Sequence, residues 1–359
     1  MPVKPLPPED LEHILAHTRD LFPSLSGARI FITGGTGLFG HWLLESLLRA
    51  NRELGLNIRA TVLTRNPAAF RGRSPHIADD RAITLLQGDI RNFNFPAPPF
   101  THILHAATDS STRVVGAAPA WELSESILNG TRRVLHFARE SGATRMLFTS
   151  SGAIYGRSST LLRIAETTNT GPDPLLLSSA YDEAKRMAEH LCIAYSNDTV
   201  LEAVIARCFA FVGPHLPLDK HFAIGNFLSS AISGQPIHIK GDGTPRRSWL
   251  YMADLAIWLW TLLVRGEPNR AYNVGSDEGM SIAEAARLTA STLRPDLPIQ
   301  IDGTPDLNNP LNSYVPSIDR ARTELNLQVN IPLEEALRRT AAWHGYLATD
   351  WPVGNAVVN

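Results

Sequence analysis

The sequence predicts an α/β protein: a doubly wound parallel sheet followed by a smaller α/β lobe toward the C-terminus. Three observations predict it. Short apolar runs alternate with longer segments of helical period as far as residue 208. The first of these runs, Arg29-Ile30-Phe31-Ile32-Thr33, passes through a glycine-rich turn straight into a helical pattern. Beyond residue 208, proline and glycine turns break the alternation and further helices follow.

Residues 1–26 read as a helical extension. Pro7-Pro8-Glu9-Asp10 is a helix start, Leu11, Ile14 and Leu15 form an apolar stripe, and the helix ends by Pro23. From Gly27 the predicted strands are 30–33, 58–64, 83–87, 102–105, 146–149 and 203–209. Predicted helices at 38–51, 121–140 and 181–196 lie between several of them. Continuous apolar strands of this kind are buried on both faces, as in a parallel sheet. Turns at Gly213-Pro214-His215-Leu216-Pro217 and Gly241-Asp242-Gly243-Thr244-Pro245 punctuate the later chain. Helices at 222–233, 252–264, 282–293 and 333–347 accompany them, and Ile257, Trp258, Leu259, Trp260 and Leu263 read as core. The expected organisation is an extension (1–26), a sheet domain (27–208 with about 236–275) and a second lobe (about 209–235 and 276–350).

The chain has 359 residues, 44% hydrophobic and 19% charged, with a formal net charge of −2. That balance predicts neither a nucleic-acid footprint nor an anionic-membrane surface. No run approaches the ~18 apolar residues of a membrane span. The first ten residues lack the basic start and apolar stretch of a signal peptide. Two cysteines, Cys192 and Cys208, make neither a disulfide framework nor a metal cluster. The expectation is a cytoplasmic protein with buried thiols. His105, His215 and His221 are scattered without zinc spacing, so no metal is expected.

Chemistry concentrates in three places. Gly34, Gly37 and Gly40 stand three apart between the first strand and its helix. Such a turn lets backbone approach a pyrophosphate at a helix N-terminus, although the usual dinucleotide spacing is two and three. The second strand ends in Thr64-Arg65, where an NAD site usually places an acid for the ribose. A guanidinium in that place favours the 2′-phosphate of NADP, unless Arg65 is simply a solvated surface residue. Tyr181 and Lys185 lie one helical turn apart. With four Lys and seven Tyr in the chain, random placement gives about 0.08 such pairs. The ammonium lowers the cost of a phenolate whose ordinary pKa is about 10. The pair can therefore move a hydroxyl proton while a hydride moves to or from nicotinamide. Between turn and pair, Ser150 and Ser151 follow a strand end, where ligands bind in open α/β sheets.

With these residues in place, the chain resembles the extended short-chain dehydrogenases/reductases. More narrowly it resembles the NAD-dependent epimerase/dehydratase family, which modifies nucleotide-activated sugars, from about residue 29 to residue 344. The resemblance implies a Rossmann-type cofactor domain, an NAD(P) cofactor and a nucleotide-diphosphate sugar as substrate. It places Gly34, Gly37, Leu38, Phe39 and Gly40 at the pyrophosphate, and Asp89 and Ile90 of Gly88-Asp89-Ile90-Arg91 beside adenine. Ala106 and Ala107, after His105, would line the cofactor. Ser151, Tyr181 and Lys185 match the catalytic Ser/Thr, Tyr and Lys, the last two touching cofactor as well. Arg207…Gly213-Pro214 resembles the exit from the cofactor domain, and Ala271-Tyr272-Asn273-Val274-Gly275 a late strand. Arg247 would contact the nucleotide diphosphate, and His221 and Asn226 would face the sugar. Helices 121–140 and 181–196 would form a four-helix interface in a homodimer.

Departures from the family pattern order the possible reactions. The sugar 4,6-dehydratases usually carry Thr-Asp-Glu where this chain has Ser151-Gly152-Ala153, so elimination loses its acid and base. Ala210 and Ile127 replace two family asparagines, and neither cysteine sits where 3,5-epimerising members have theirs. A C4 epimerase is therefore expected first, an NADPH-dependent 4-ketosugar reductase second, and a 4,6-dehydratase or decarboxylase third. A non-catalytic cofactor-binding scaffold comes last, because Ser151, Tyr181 and Lys185 are all kept.

Overall fold

A computed structural model describes residues 2–108, 119–156, 162–219, 222–305 and 312–346. The chain opens on α1 (Pro8–Thr18) and a 3₁₀ turn, Phe22–Leu25, and then builds β1 (Arg29–Thr33), α2 (Leu38–Leu54) and β2 (Arg59–Thr64). Two short helices, α3 (Pro67–Arg73) and α4 (Pro75–Ala78), precede β3 (Ile83–Gln87) and β4 (His102–His105). Next come α5 (Ala120–Ser141), β5 (Arg145–Ser151), α6 (Ala180–Asp198) and β6 (Glu202–Cys208). The later chain holds β7 (Phe211–Val212), α7 (Ala223–Ser233), β8 (Ile237–Ile239), β9 (Arg246–Arg247), β10 (Leu250–Tyr251) and α8 (Met252–Arg265). It continues through β11 (Arg270–Val274), β12 (Met280–Ser281), α9 (Ile282–Leu293) and β13 (Ile299–Ile301). It finishes with β14 (Ser313–Tyr314), α10 (Asp319–Leu325) and α11 (Leu333–Trp343).

Seven strands form one parallel sheet in the order β11-β6-β5-β4-β1-β2-β3. Ile32 of β1 lies opposite Val62 of β2 and Leu104 of β4, all fully buried. Such strands must be apolar throughout because helices cover both faces. On one face α5 and α6 pack over Phe31 and Phe148 of the sheet, with Phe137 of α5 in the same cluster. On the other, α1, α2 and α8 cover Ile30 and Ile32 of β1, with Trp42 of α2 and Trp260 of α8 in the same cluster. Strand order reverses between β1 and β4, which opens a crevice at the carboxyl ends of those two strands.

Helix ends follow ordinary cap chemistry. Gly55 closes α2 in the left-handed region at φ 65°, where only glycine is unstrained, and its N–H donates to the Asn51 carbonyl at 3.0 Å. Ser281 and Glu284 form a reciprocal capping box at the start of α9.

The structure revises the expected organisation in three respects. The helices α3, α4 and α10 were not anticipated; they are short, and the first two carry Pro67, Gly72 and Pro75 within nine residues of chain. Residues 237–239, expected with the sheet domain, form strand β8, which pairs with β13 of the second lobe. The last helix ends at Trp343, and position 347 lies outside the described residues. The N-terminal extension is bound through buried carboxylates. Asp10 accepts from Tyr251 Oη at 2.6 Å and from Arg339 at 2.8 Å, and Asp254 of α8 meets His13 Nε2 at 3.2 Å.

Candidate active site

The glycine turn fills the start of the crevice. Gly34 has φ +74°, and a Cβ there would meet the Ala106 carbonyl at 2.5 Å, so the turn rests directly on the end of β4. A Cβ at Gly40 would come within 2.1 Å of the Gly35 oxygen. Helix α2 begins at Gly37 with no side-chain cap, which leaves its first-turn N–H groups to a ligand. The cradle therefore fits a dinucleotide pyrophosphate.

One cavity of about 950 Å³ runs from this turn across the sheet ends. Of the residues expected at the cofactor, Gly34, Gly37, Leu38, Phe39, Thr64, Arg65, Asp89, Ile90, Ala106, Ala107, Tyr181 and Lys185 line it. Gly40 stands behind the turn and serves its packing. Ser151 and Arg247 also line the cavity. Asn226 does not: it is exposed on α7, whose cavity side is made by Ala223 and Ile224. His221 lies outside the described residues.

Each reactive group has a defined support. Ser151 ends β5, and its Oγ accepts the Ala153 N–H at 3.1 Å, capping the 3₁₀ turn Gly152–Tyr155. That bond occupies the oxygen as acceptor and leaves the hydroxyl proton to donate. Tyr181 and Lys185 occupy successive turns of α6 on the side facing β5. Lys185 is 1% exposed, and its Nζ donates to the Thr149 carbonyl at 2.7 Å. The same nitrogen lies 4.7 Å from the Phe148 ring centroid and 6.0 Å from that of Tyr181. His105 bridges the Thr33 and Thr131 hydroxyls at 2.7 and 3.1 Å. Burial, with the Lys185 charge second, holds its pKa down to about 3, so it is a neutral strut. Burial pushes the Cys208 thiol up to about 12 against the opposing pull of Lys185, which rules it out as a base near neutrality.

At the adenosine end, Arg91 clamps Asp89 through bonds of 2.7 and 3.1 Å and holds its carboxyl below the ordinary range. Toward the second lobe, Arg247 donates to the Asn312 carbonyl at 3.1 Å, and its guanidinium stands 5.9 Å from the Tyr314 ring. Phe209 packs on Tyr314 at 4.6 Å and covers Gly152, where a Cβ would meet the ring at 2.6 Å. No group of His, Cys, Asp and Glu suited to a metal occurs among the described residues.

Several lining residues escaped the sequence reading. Thr149 acts through a backbone carbonyl, which leaves no sequence mark. Asn66 caps α3 and Arg73 ends it, and a pattern of 66, 69, 70 and 73 would have flagged one face had that helix been recognised.

The class follows from the crevice: a doubly wound sheet carrying a glycine turn and a Tyr–Lys helix is the frame of a dinucleotide-dependent oxidoreductase. The sequence profile of the NAD dependent epimerase/dehydratase family matches residues 30–275, and the chain belongs to that family. UDP-glucuronic acid decarboxylase 6 of Arabidopsis thaliana is 27% identical over 314 residues, covering 87% of each chain. Among solved structures, a UDP-N-acetylglucosamine 4-epimerase from Methanobrevibacter ruminantium aligns with a TM-score of 0.76 at 18% identity, covering 88% of this chain and 98% of the other. A dTDP-glucose 4,6-dehydratase from Streptomyces venezuelae, with NAD bound, aligns at 0.74 and 22% identity, covering 88% and 97%. The protein is thus a nucleotide-sugar-modifying enzyme. None of its described helices is long and apolar enough to cross a membrane.

Proposed function

We propose that the enzyme oxidises and re-reduces a nucleotide-diphosphate sugar at C4, with C4 epimerisation as the net reaction. The observation that carries this reading is the single cavity bringing together the glycine turn, Ser151, Tyr181, Lys185 and Arg247. The turn and the residues from Thr64 to Ala107 that line the cavity would hold the dinucleotide, which when bound supplies the hydride acceptor and donor.

The protein's own groups handle the proton. Tyr181 Oη takes it from the C4 hydroxyl and returns it after the sugar presents its other face. The buried Lys185 ammonium lowers the cost of the phenolate in that step. Ser151 donates its free hydroxyl proton to the same sugar oxygen, and Arg247 pairs with the diphosphate. No carboxylate is needed, which agrees with Gly152 and Ala153 standing where the dehydratases carry acids.

A second reading is one-way reduction of a 4-ketosugar. Arg65 at the end of β2, in place of the ribose-binding acid, supports NADP as cofactor and so supports this alternative. Decarboxylation, the activity of the Arabidopsis relative, ranks below both. A substrate carboxylate would need its own cation, and the described cations lining the cavity are Arg65, Arg73, Lys185 and Arg247. We also infer a homodimer, supported by Trp121 on α5 and Met187 on α6, which are 62% and 51% exposed.

The test is a panel of UDP-, dTDP-, GDP- and CDP-sugars incubated with wild type and with Tyr181→Phe, read by mass spectrometry together with the cofactor released on denaturation. Tightly held oxidised cofactor and an isomerised sugar support the epimerase; net NADPH consumption supports the reductase. Equal product formation by both proteins would defeat the catalytic assignment.

A further inference from the structure

We propose that Arg73, at the end of α3, is a second cation in the seat of the adenosine 2′-phosphate, and that His41 and the N-terminal extension hold it there. The inference rests on the NADP reading above.

Arg73 lines the same cavity as Arg65 and Asn66, and Ala69 and Phe70 of α3 line it with them. These positions share one face of that helix, which therefore looks into the cavity with a guanidinium flanking each of its ends. The backbone on both sides of the Arg73 side chain is pinned. The Val3 N–H donates to the Arg73 carbonyl at 2.7 Å. The next residue, Ser74, is fully buried, and its hydroxyl donates to His41 Nε2 at 2.9 Å. His41 Nδ1–H donates in turn to the Gly37 carbonyl at 2.9 Å, inside the glycine turn. Arg73 is thus tied to the turn that seats the pyrophosphate, whereas Arg65 stands at the end of β2. A dinucleotide seated on that turn would have both guanidiniums in its cavity.

The charge pattern agrees. Arg73 is near enough to His41 and His215 for its charge to add to burial in keeping both rings neutral, so neither imidazole competes for the phosphate. The two rings stack at 4.4 Å, which fixes the plane of His41. The described acid lining this cavity is Asp89; Arg91 clamps it, and the Arg65 charge acts on it as well. Two planar guanidiniums beside a buried Thr64 match a phosphate dianion better than a ribose hydroxyl.

The experiment is titration of the purified full chain with NADPH and with NADH, followed by nicotinamide fluorescence, and displacement by adenosine 2′,5′-bisphosphate against 5′-AMP. Wild type should bind NADPH at least about tenfold tighter than NADH. Arg73→Ala and Arg65→Ala should each weaken NADPH by about tenfold and leave NADH within about twofold, with Arg73→Lys between. Val3→Pro, which deletes the N–H that grips Arg73, should weaken NADPH by about twofold to fivefold and spare NADH. If Arg65→Ala erodes the preference and Arg73→Ala does not, the Arg73 assignment fails and the NADP reading stands. If wild type binds NADH as tightly as NADPH, the NADP reading fails and takes the proposal with it. Unchanged NADPH affinity in Val3→Pro removes the extension from the assignment.

Discussion

Four imidazoles, two of them buried and two half-buried, stay uncharged at neutral pH. Burial is the leading cause in each, holding His41 and His102 to about 4 and His105 and His215 to about 3. In the unfolded chain a histidine titrates near 6.5. Between pH 6.5 and about 4 the unfolded state therefore binds more protons, and stability rises with pH across that window. Acidification below 6.5 removes it, by on the order of 3 kcal/mol for a single histidine displaced this far. Asp10 and Glu45, raised by burial, oppose the trend as the pH nears the carboxylate range. The urea midpoint should accordingly fall most steeply from pH 6.5 to about 5, and a flat midpoint there would contradict the assignment of neutral buried rings. Sequence alone marked His105 and His215 as scattered polar residues. Their burial comes from strands and loops that meet only in three dimensions.

Helix α6 carries Tyr181 and Lys185, the proposed proton-handling pair, and its seating is set one turn further along. Glu189 accepts from Arg207 of β6 through both carboxylate oxygens, at 2.9 to 3.2 Å. Arg207 also donates to Tyr155 Oη at 2.8 Å and to the Glu166 carbonyl at 3.2 Å. Tyr155 donates to Asn273 of β11 at 2.8 Å. The network joins α6, the turn after Ser151, and the sheet edge. Glu189→Gln leaves a buried guanidinium without its counter-charge, so unfolding free energy should drop by about 3 kcal/mol. Because Tyr181 and Lys185 lose their register, kcat should fall more than KM rises; an unchanged kcat would show that the bridge merely stabilises. Tyr181–Lys185 was legible in the sequence because one helical turn suffices to see it. Glu189 continues the same spacing, but its partner lies eighteen residues away on a strand. The helix α3 was illegible for a different reason: Gly72 and the flanking prolines of so short a segment signal a loop.

At the scale of the molecule, the doubly wound order was readable because each buried strand is a continuous apolar run. The boundary of the second lobe was not, since the pairing of β8 with β13 joins segments far apart in the chain. The N-terminal extension is packed on the main body, with α1 against α2 and α8. The face opposite that packing is where α5 and α6 present Trp121 and Met187. Sedimentation should show a dimer, and the double change Trp121→Glu with Met187→Glu should release monomers that remain folded. A wild-type monomer at micromolar concentration would remove the inferred interface.

The ring of Phe209 over Gly152 bears on how this chain could acquire a different reaction. A carboxyl introduced by Gly152→Asp would collide with the ring, since even a Cβ stands 2.6 Å from it. Phe209→Ala alone opens a void and gains nothing. Each step is a loss unless the other is present, a case of sign epistasis. By this contact, a carboxyl at position 152 is reachable only together with a change at Phe209.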